Sequence, residues 1–251
     1  MGYDNWAHIY DLLYEQLFGR TYTEMTAQHL RLIPQTAVSV LDVGAGTGRL
    51  AIPLAQRDMH VTVVEPSSGM MGQLMQYAKE AGVLPFITPV QSPIDAADAA
   101  AAIGTDHDCA ICVFSTIHHV TTRSGLQRAL ETIAGAVRPG GAVLIGVHPP
   151  ALFERFETGL SQNVWIEELG GLVRWTQQAT RRPRSAVLNA TCAITLPDRT
   201  TIVDPLRLRP WMTQEVVGVA QLQGLLPSHA VQVGSEEVLV LKRTLTGAAI
   251  D

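Results

Sequence analysis

The chain is poor in lysine, cysteine, charge and long apolar runs, and each shortage closes off a class of protein. Only Lys79 and Lys242 stand beside sixteen arginines in 251 residues. Charged residues make up 16 %, against about 25 % in an average soluble domain, and the net charge is −5. That balance argues against a protein whose main task is holding phosphate backbones. Three cysteines are too few for a disulfide framework. The longest unbroken apolar runs, at 109–114 and 142–147, are strand-sized and far below the ~18 residues of a membrane span. The opening residues, Met1 to Trp6, lack the basic start and apolar stretch of a secretory signal. The expectation is a soluble, cytoplasmic protein.

Apolar residues reach 47 %, enough for one large domain or two small ones. Trp6, Tyr10 and Tyr14 recur every four residues beside Ile9, Leu13 and Leu17, the pattern of an amphipathic helix with an aromatic edge. Residues 18–20 break it, and a second helix is expected over 22–32. From residue 38 strands and helices alternate. Strands are expected at 38–43, 60–65, 86–90, 108–114 and 142–147. Helices fall between them at 49–57, 69–80, 95–103 and 123–137. Near-continuous apolar strands separated by helices predict a doubly wound α/β fold, with a parallel sheet covered on both faces. After Pro149 and Pro150 the rhythm becomes β alone, with segments at 164–166, 172–178, 186–196 and 201–209. A helix over 211–222 and a hairpin-like pair at 231–233 and 238–241 close the chain. The expected divisions are 1–36, a core of 37–150 and 211–245, and an antiparallel insertion at 151–210.

The strongest local signal is the stretch Val40-Leu41-Asp42-Val43-Gly44-Ala45-Gly46-Thr47-Gly48-Arg49. A buried strand runs into a loop with glycine at alternate positions, and a helix follows. Such glycines let a ligand approach the backbone, and the helix start offers unpaired N–H groups. The next strand ends in Glu65, twenty-one residues after Gly44, the place from which a carboxylate grips ribose hydroxyls. A nicotinamide site would show G-x-G-x-x-G. Here the third glycine arrives one residue early, at Gly48, and Arg49 holds the sixth position.

With Asp42 two residues ahead of the first glycine, Asp-x-Gly-x-Gly-x-Gly and the later acid resemble class I S-adenosylmethionine-dependent methyltransferases. The resemblance covers about residues 38–148. It implies a Rossmann-like, mostly parallel sheet with a reversed last strand, and S-adenosylmethionine as cofactor. Carried over position by position, it sets Gly44, Ala45 and Gly46, in the loop that Gly48 completes, under the methionine part of the cofactor. Asp42 would support the loop or the amino group. Glu65 would take the ribose hydroxyls, Pro66 and Met70 would flank the adenine, and Phe114 and Ser115 would face the donor sulfur and the substrate. Where the family often carries an Asp after the third strand, this chain has Gln91, Ser92 and Pro93, so Ser92 and Pro93 stand as the adenine contacts. Tyr10 to Tyr14, with Tyr22 downstream, looks like the helical lid of methyltransferases acting on aminosugars and other natural products, which nominates Tyr14 and Tyr22 for the cofactor site, with Tyr14 also for catalysis.

Methyl transfer to a hydroxyl or an amine needs a proton acceptor, and histidine is the natural one. His119, His118 and His148 all follow strands at the carboxyl edge of the expected sheet, and are the base candidates in that order. No metal is expected, because adjacent histidines diverge and no ligand shell completes them. Cys109 and Cys112 form a C-x-x-C, but three residues apart on a strand they face opposite ways and read as core. Between residues 174 and 209 seven arginines meet only Asp198 and Asp204, a local +5. This suits either an anionic substrate or a solvated strand face. The function expected is methyl transfer to an oxygen or nitrogen of a small metabolite, in natural-product biosynthesis, by a homodimer without membrane or nucleic-acid partners. Methylation of a macromolecule and cofactor binding without transfer are the alternatives.

Overall fold

The apolar alternation assembles into two sheets. The computed structural model describes residues 2–244, so the expected boundaries at 1 and 245 lie outside the described residues. Helix α1 (Tyr10–Leu32) is broken at Gly19, φ 48° and ψ −124°, into two helical segments, as the expected interruption at 18–20 requires. Then follow β1 (Ser39–Val43), α2 (Ala51–Ala55), β2 (His60–Val64), α3 (Ser68–Glu80), β3 (Ile87–Val90), α4 (Ala99–Ile103), β4 (His107–Cys112), α5 (Arg123–Ala136) and β5 (Val137–Val147). Ser67 and Thr122 cap α3 and α5, accepting from the Met70 and Gly125 amides at 3.2 and 3.0 Å. Both are the small hydroxyl residues that helix starts favour.

A helix that the pattern did not reveal, α6 (Pro150–Thr158), comes next. Proline in its first turn is pre-set for a helix start, and Phe153 is its buried anchor. Four strands follow, β6 (Leu160–Ile166), β7 (Gly171–Arg181), β8 (Leu188–Thr195) and β9 (Thr201–Leu208). The chain closes with α7 (Thr213–Leu222), β10 (Leu225–Val233) and β11 (Glu236–Arg243). The central sheet has the order β10-β11-β5-β4-β1-β2-β3, and a second sheet runs β6-β7-β8-β9. Strands β1 to β5 pair in parallel, whereas β11 is antiparallel to both β5 and β10. All pairings in the second sheet are antiparallel. The doubly wound sheet with one reversed strand is therefore as expected, and the β segments between residues 160 and 208 form a separate antiparallel sheet. Pro139 to Gly141 lie inside β5, where its pairing with β4 is irregular.

Burial divides the chain into three cores. Along β1, Leu41 and Val43 pack on one face of the central sheet and Val40 on the other. The third core joins the start of α1 to the antiparallel sheet through Trp6, Ile9, Leu13, Phe153 and Trp175. Each core holds one free cysteine. Cys112 and Cys109 lie on opposite faces of the central sheet, as their spacing required, and Cys192 belongs to the third core. Among the described residues no helix is long and apolar enough to cross a membrane.

Candidate active site

Strand order reverses between β4 and β1, which opens a crevice at their carboxyl ends. The loop after β1 starts there. The Gly44 and Ala45 amides both donate to the Val64 carbonyl, at 2.7 and 3.2 Å, tying the loop to the end of β2. Gly44 has φ +71°, and a Cβ on it would lie 2.3 Å from the Thr116 side chain; Gly46 has φ +56° and faces open space. Close packing demands the first glycine, and the second leaves the loop bare. Glu65 holds this arrangement together. Its Oε2 accepts from the Gly46 amide and its Oε1 from the Ser67 amide, both at 2.9 Å. Burial raises its pKa above the ordinary carboxylate value, partly offset by those two bonds. Asp42 is buried, and its Oδ2 has no partner. Burial, and secondarily the charge of Glu65, push its carboxyl up to about 7.

A cavity of about 550 Å³ opens over the loop. Gly44, Ala45, Gly46, Glu65, Pro66 and Met70 line it, with Pro93, Phe114, His119 and Tyr22. These ten of the nominated residues are thus brought together. The remaining wall comes from Gly2, Tyr3, Tyr10, Thr47, Arg49, Asp95, Thr116 and the β9 residues Pro205 to Arg207, among others.

Seven nominated residues are not part of that wall. Tyr14 stacks on Tyr10 at 4.3 Å and meets Phe18 at 5.1 Å. It packs against the third core, and Tyr10, one turn earlier, takes the place on the cavity. Asp42 lies buried behind the loop. Gly48 serves packing, since a Cβ there would stand 3.0 Å from Ile52 and Leu74. The Ser92 hydroxyl turns to the Pro93 carbonyl at 3.2 Å, and the acid missing from that segment stands slightly later, as Asp95. Ser115 follows Phe114 through two consecutive left-handed residues, φ 72° and 56°. Its amide donates to Glu236 Oε1 at 3.4 Å.

The three histidines separate clearly. His118 is fully buried, with Nδ1 on the Arg209 carbonyl at 2.8 Å and Nε2 accepting from the His148 amide at 3.0 Å. Burial depresses its pKa to about 3. Both nitrogens are taken, so His118 is not free to act as a base. His148 turns away too, with Nδ1 3.3 Å from the Ser235 carbonyl and Nε2 4.0 Å from Glu236 Oε1. Of the three, His119 alone lines the cavity. His119 is exposed on the cavity, and desolvation by the surrounding protein lowers its pKa to about 4. At neutral pH it is an uncharged imidazole with a lone pair to offer.

Several residues of this site went unnominated. The Arg49 guanidinium lies 3.4 Å from the Tyr22 ring centroid and 3.9 Å from that of Phe114. It donates to Thr26 Oγ1 at 2.5 Å and to the Tyr22 carbonyl, locking α1 to the glycine loop. Asp11 reinforces that contact, accepting from the Thr47 and Tyr22 hydroxyls at 3.0 and 3.2 Å. A cation directly after the loop was a readable signal for Arg49. Glu236 gave none. It is wholly buried, 2.9 Å from Nε2 of the equally buried His29. It fills the space above Gly146, where a Cβ would stand 1.9 Å from its Oε1.

Residues 40–141 match the family described as a methyltransferase domain. A ubiquinone biosynthesis O-methyltransferase of Rickettsia felis is 30% identical over 110 residues, 43% of this chain and 40% of that protein. A dTDP-3-amino-3,6-dideoxy-alpha-D-glucopyranose N,N-dimethyltransferase of Streptomyces fradiae is 27% identical over 196 residues, 77% of this chain and 72% of that protein. The chain spans 40–54% of the length of the ubiquinone-pathway relatives it matches. Among solved structures, DesVI of Streptomyces venezuelae has a TM-score of 0.75 at 19% identity, covering 95% of this chain and 98% of that one. CalS10, an amino pentose methyltransferase from Micromonospora echinaspora solved with S-adenosylmethionine, has a TM-score of 0.72 at 20% identity, covering 94% and 97%. The match over residues 40–141 and the shared fold accord with the resemblance to the class I S-adenosylmethionine-dependent methyltransferases.

Proposed function

We propose that the chain transfers the methyl group of S-adenosylmethionine to an oxygen or nitrogen of a small metabolite, in natural-product biosynthesis. The observation that carries this is the glycine loop, bare over Gly46, latched by Glu65 and backed by the unpartnered Asp42 oxygen. These residues fit the cofactor. Glu65 keeps lone pairs for two ribose hydroxyls beyond the amides it accepts, and the spare Asp42 oxygen suits an ammonium group. Pro66 and Met70 supply apolar cover for an adenine ring, and Asp95 an acceptor for its amino group. When bound, S-adenosylmethionine supplies a methyl group activated on a positively charged sulfur.

The chain's own residues then align the acceptor, exclude water and take up a proton. His119 is the base. Residues 1–36 act as a lid, held down by Tyr22 and Asp11, and the antiparallel sheet within 151–210 covers the acceptor side through Pro205 to Arg207. Of the seven arginines there, Arg181 pairs with Glu157 at 3.1 Å and Arg209 with Glu215 at 3.4 Å. Arg207 lines the cavity, where it suits an anionic part of the acceptor. A cytoplasmic location accords with three buried, unpaired cysteines. A homodimer would use the outer face of the second sheet, where Trp165, Leu172 and Val203 are exposed.

Thermal unfolding with S-adenosylhomocysteine, and separately with NAD and NADP, tests the cofactor. A ligand at about 100 times its Kd adds about 2.7 kcal/mol, on the order of 5–10 °C for a chain of this size. The shift is expected with the homocysteine compound alone and is lost in Glu65→Ala. A shift with NAD, or none with S-adenosylhomocysteine, would reject the reading.

A further inference from the structure

Residues 2–5 form a strap across the cavity, with Gly2 and Tyr3 in its wall. Tyr3 lies in the left-handed region, φ 85°, a conformation that a bulky residue keeps only when its surroundings hold it there. The holding group is Asp204 of β9, buried to 1 % exposure. Its Oδ2 accepts from the Tyr3 amide at 2.9 Å and its Oδ1 from the Asn5 side-chain amide at 2.5 Å. On one side Gly2 sits so close to β9 that a Cβ would lie 2.1 Å from Leu206. On the other, Asp4 Oδ1 accepts from the Ser67 hydroxyl at 2.7 Å and the Gly69 amide at 3.0 Å, at the start of α3. So anchored at both ends, the strap turns the Tyr3 ring onto the cavity, 5.7 Å from the His119 ring, with its hydroxyl 3.4 Å from His119 Nε2.

We propose that Tyr3 is a positioning residue for the base: its hydroxyl donates to His119 Nε2, fixing the tautomer that carries its proton on Nδ1 and holding the Nε2 lone pair on the cavity side until the acceptor displaces the hydroxyl. This rests on the methyl-transfer reading above. A phenol donates well and accepts poorly, and burial raises the Tyr3 pKa well above its ordinary value, so the hydroxyl keeps its proton. The contact is long, as befits one that yields when the acceptor arrives. In the transfer the acceptor's lone pair bonds to the methyl carbon, and the carbon–sulfur bond breaks with its electrons going to sulfur. The acceptor's proton passes to His119 Nε2. The other ionisable groups on the cavity are Tyr10, Tyr22, Arg49, Glu65, Asp95 and Arg207, while His118 lies beside His119 in the chain. Tautomer is therefore a cleaner readout than charge.

Long-range nitrogen–proton NMR on histidine-labelled protein, with His119 assigned through His119→Gln, reads that tautomer directly. In the wild type a single Nδ1–H form is expected. Tyr3→Phe keeps the ring and removes the hydroxyl; the tautomer preference should vanish and the His119 midpoint rise by about half a unit, because the neutral form has lost a donor. Affinity for S-adenosylhomocysteine should stay within about twofold, since the cofactor residues are untouched. Asp204→Asn, which loosens the strap but keeps the hydroxyl, should reproduce the same change at His119. An Nε2–H form in the wild type overturns the proposal, as does an unchanged tautomer and midpoint in folded Tyr3→Phe. Failure of the wild type to bind S-adenosylhomocysteine would instead remove the cofactor reading, and the histidine spectra would still decide whether Tyr3 holds His119.

Discussion

A carboxyl that titrates near neutrality makes ligand binding depend on pH. Asp42, pushed up to about 7, is half protonated in the folded protein where an ordinary aspartate is fully ionised. With the ligand's ammonium set against it, as proposed, the ionised form would be favoured, so binding below neutrality would first expel a proton. Affinity for S-adenosylhomocysteine is therefore expected to rise about tenfold between pH 6 and pH 8, one pKa unit being worth a factor of ten. Asp42→Asn should flatten that dependence, and calorimetry at three pH values checks both. A pH-independent wild type would take Asp42 away from the ligand. The place of Glu65 beside the glycine loop was readable because loop spacing and strand ends are local features of a sequence. His118 and His119 were not separable, since both lie on one short turn, Thr116–His119, whose inward side depends on what packs against it. Tyr3 and Glu236 were invisible for a stronger reason: their partners lie 116 and 207 residues away.

At the scale of elements, Gly19 decides how α1 can serve two cores. Before it Trp6, Ile9 and Leu13 belong to the antiparallel sheet's core; after it Met25, Leu30 and Leu32 pack on the central sheet. The backbone there, φ 48° and ψ −124°, is open to glycine and strained for any L side chain, although nothing lies within 4 Å of a Cβ at that position. Gly19→Ala should thus act through backbone strain alone, at about 1–3 kcal/mol. Calorimetry should record a Tm lower by on the order of 5 °C. An unchanged Tm would mean that α1 is free to straighten. The Phe18-Gly19-Arg20 break was readable as an interruption between two helical segments, but the angle between them was not, because only the packing of both halves fixes it. Helix α6 went unread for a different reason. Nine residues starting at Pro150 between β segments give too few turns for helical periodicity to stand out.

For the whole molecule, acid stability follows from a buried imidazole. His118 is depressed to about 3 in the folded protein from the ordinary 6.5, so as pH falls below about 6.5 the unfolded chain takes up the proton first. Stability from this group is fully present above that value and is lost progressively toward pH 3. Between pH 7.5 and 5 the loss is about 2 kcal/mol. Asp42, shifted upward, runs the opposite way over the same interval, so the comparison must be between variants. His118→Gln should lose less stability than the wild type over that range in urea unfolding. Parallel pH profiles for the two proteins would mean that the ring is not buried neutral. The three cysteines allow the molecule to be interrogated region by region. With Cys112, Cys109 and Cys192 each enclosed in a different core, alkylation of each thiol waits on the opening of its own compartment. Mass spectrometry of a native labelling time course would give three independent opening rates from one unmodified chain, and the order in which the thiols react would rank the cores by how readily they come apart.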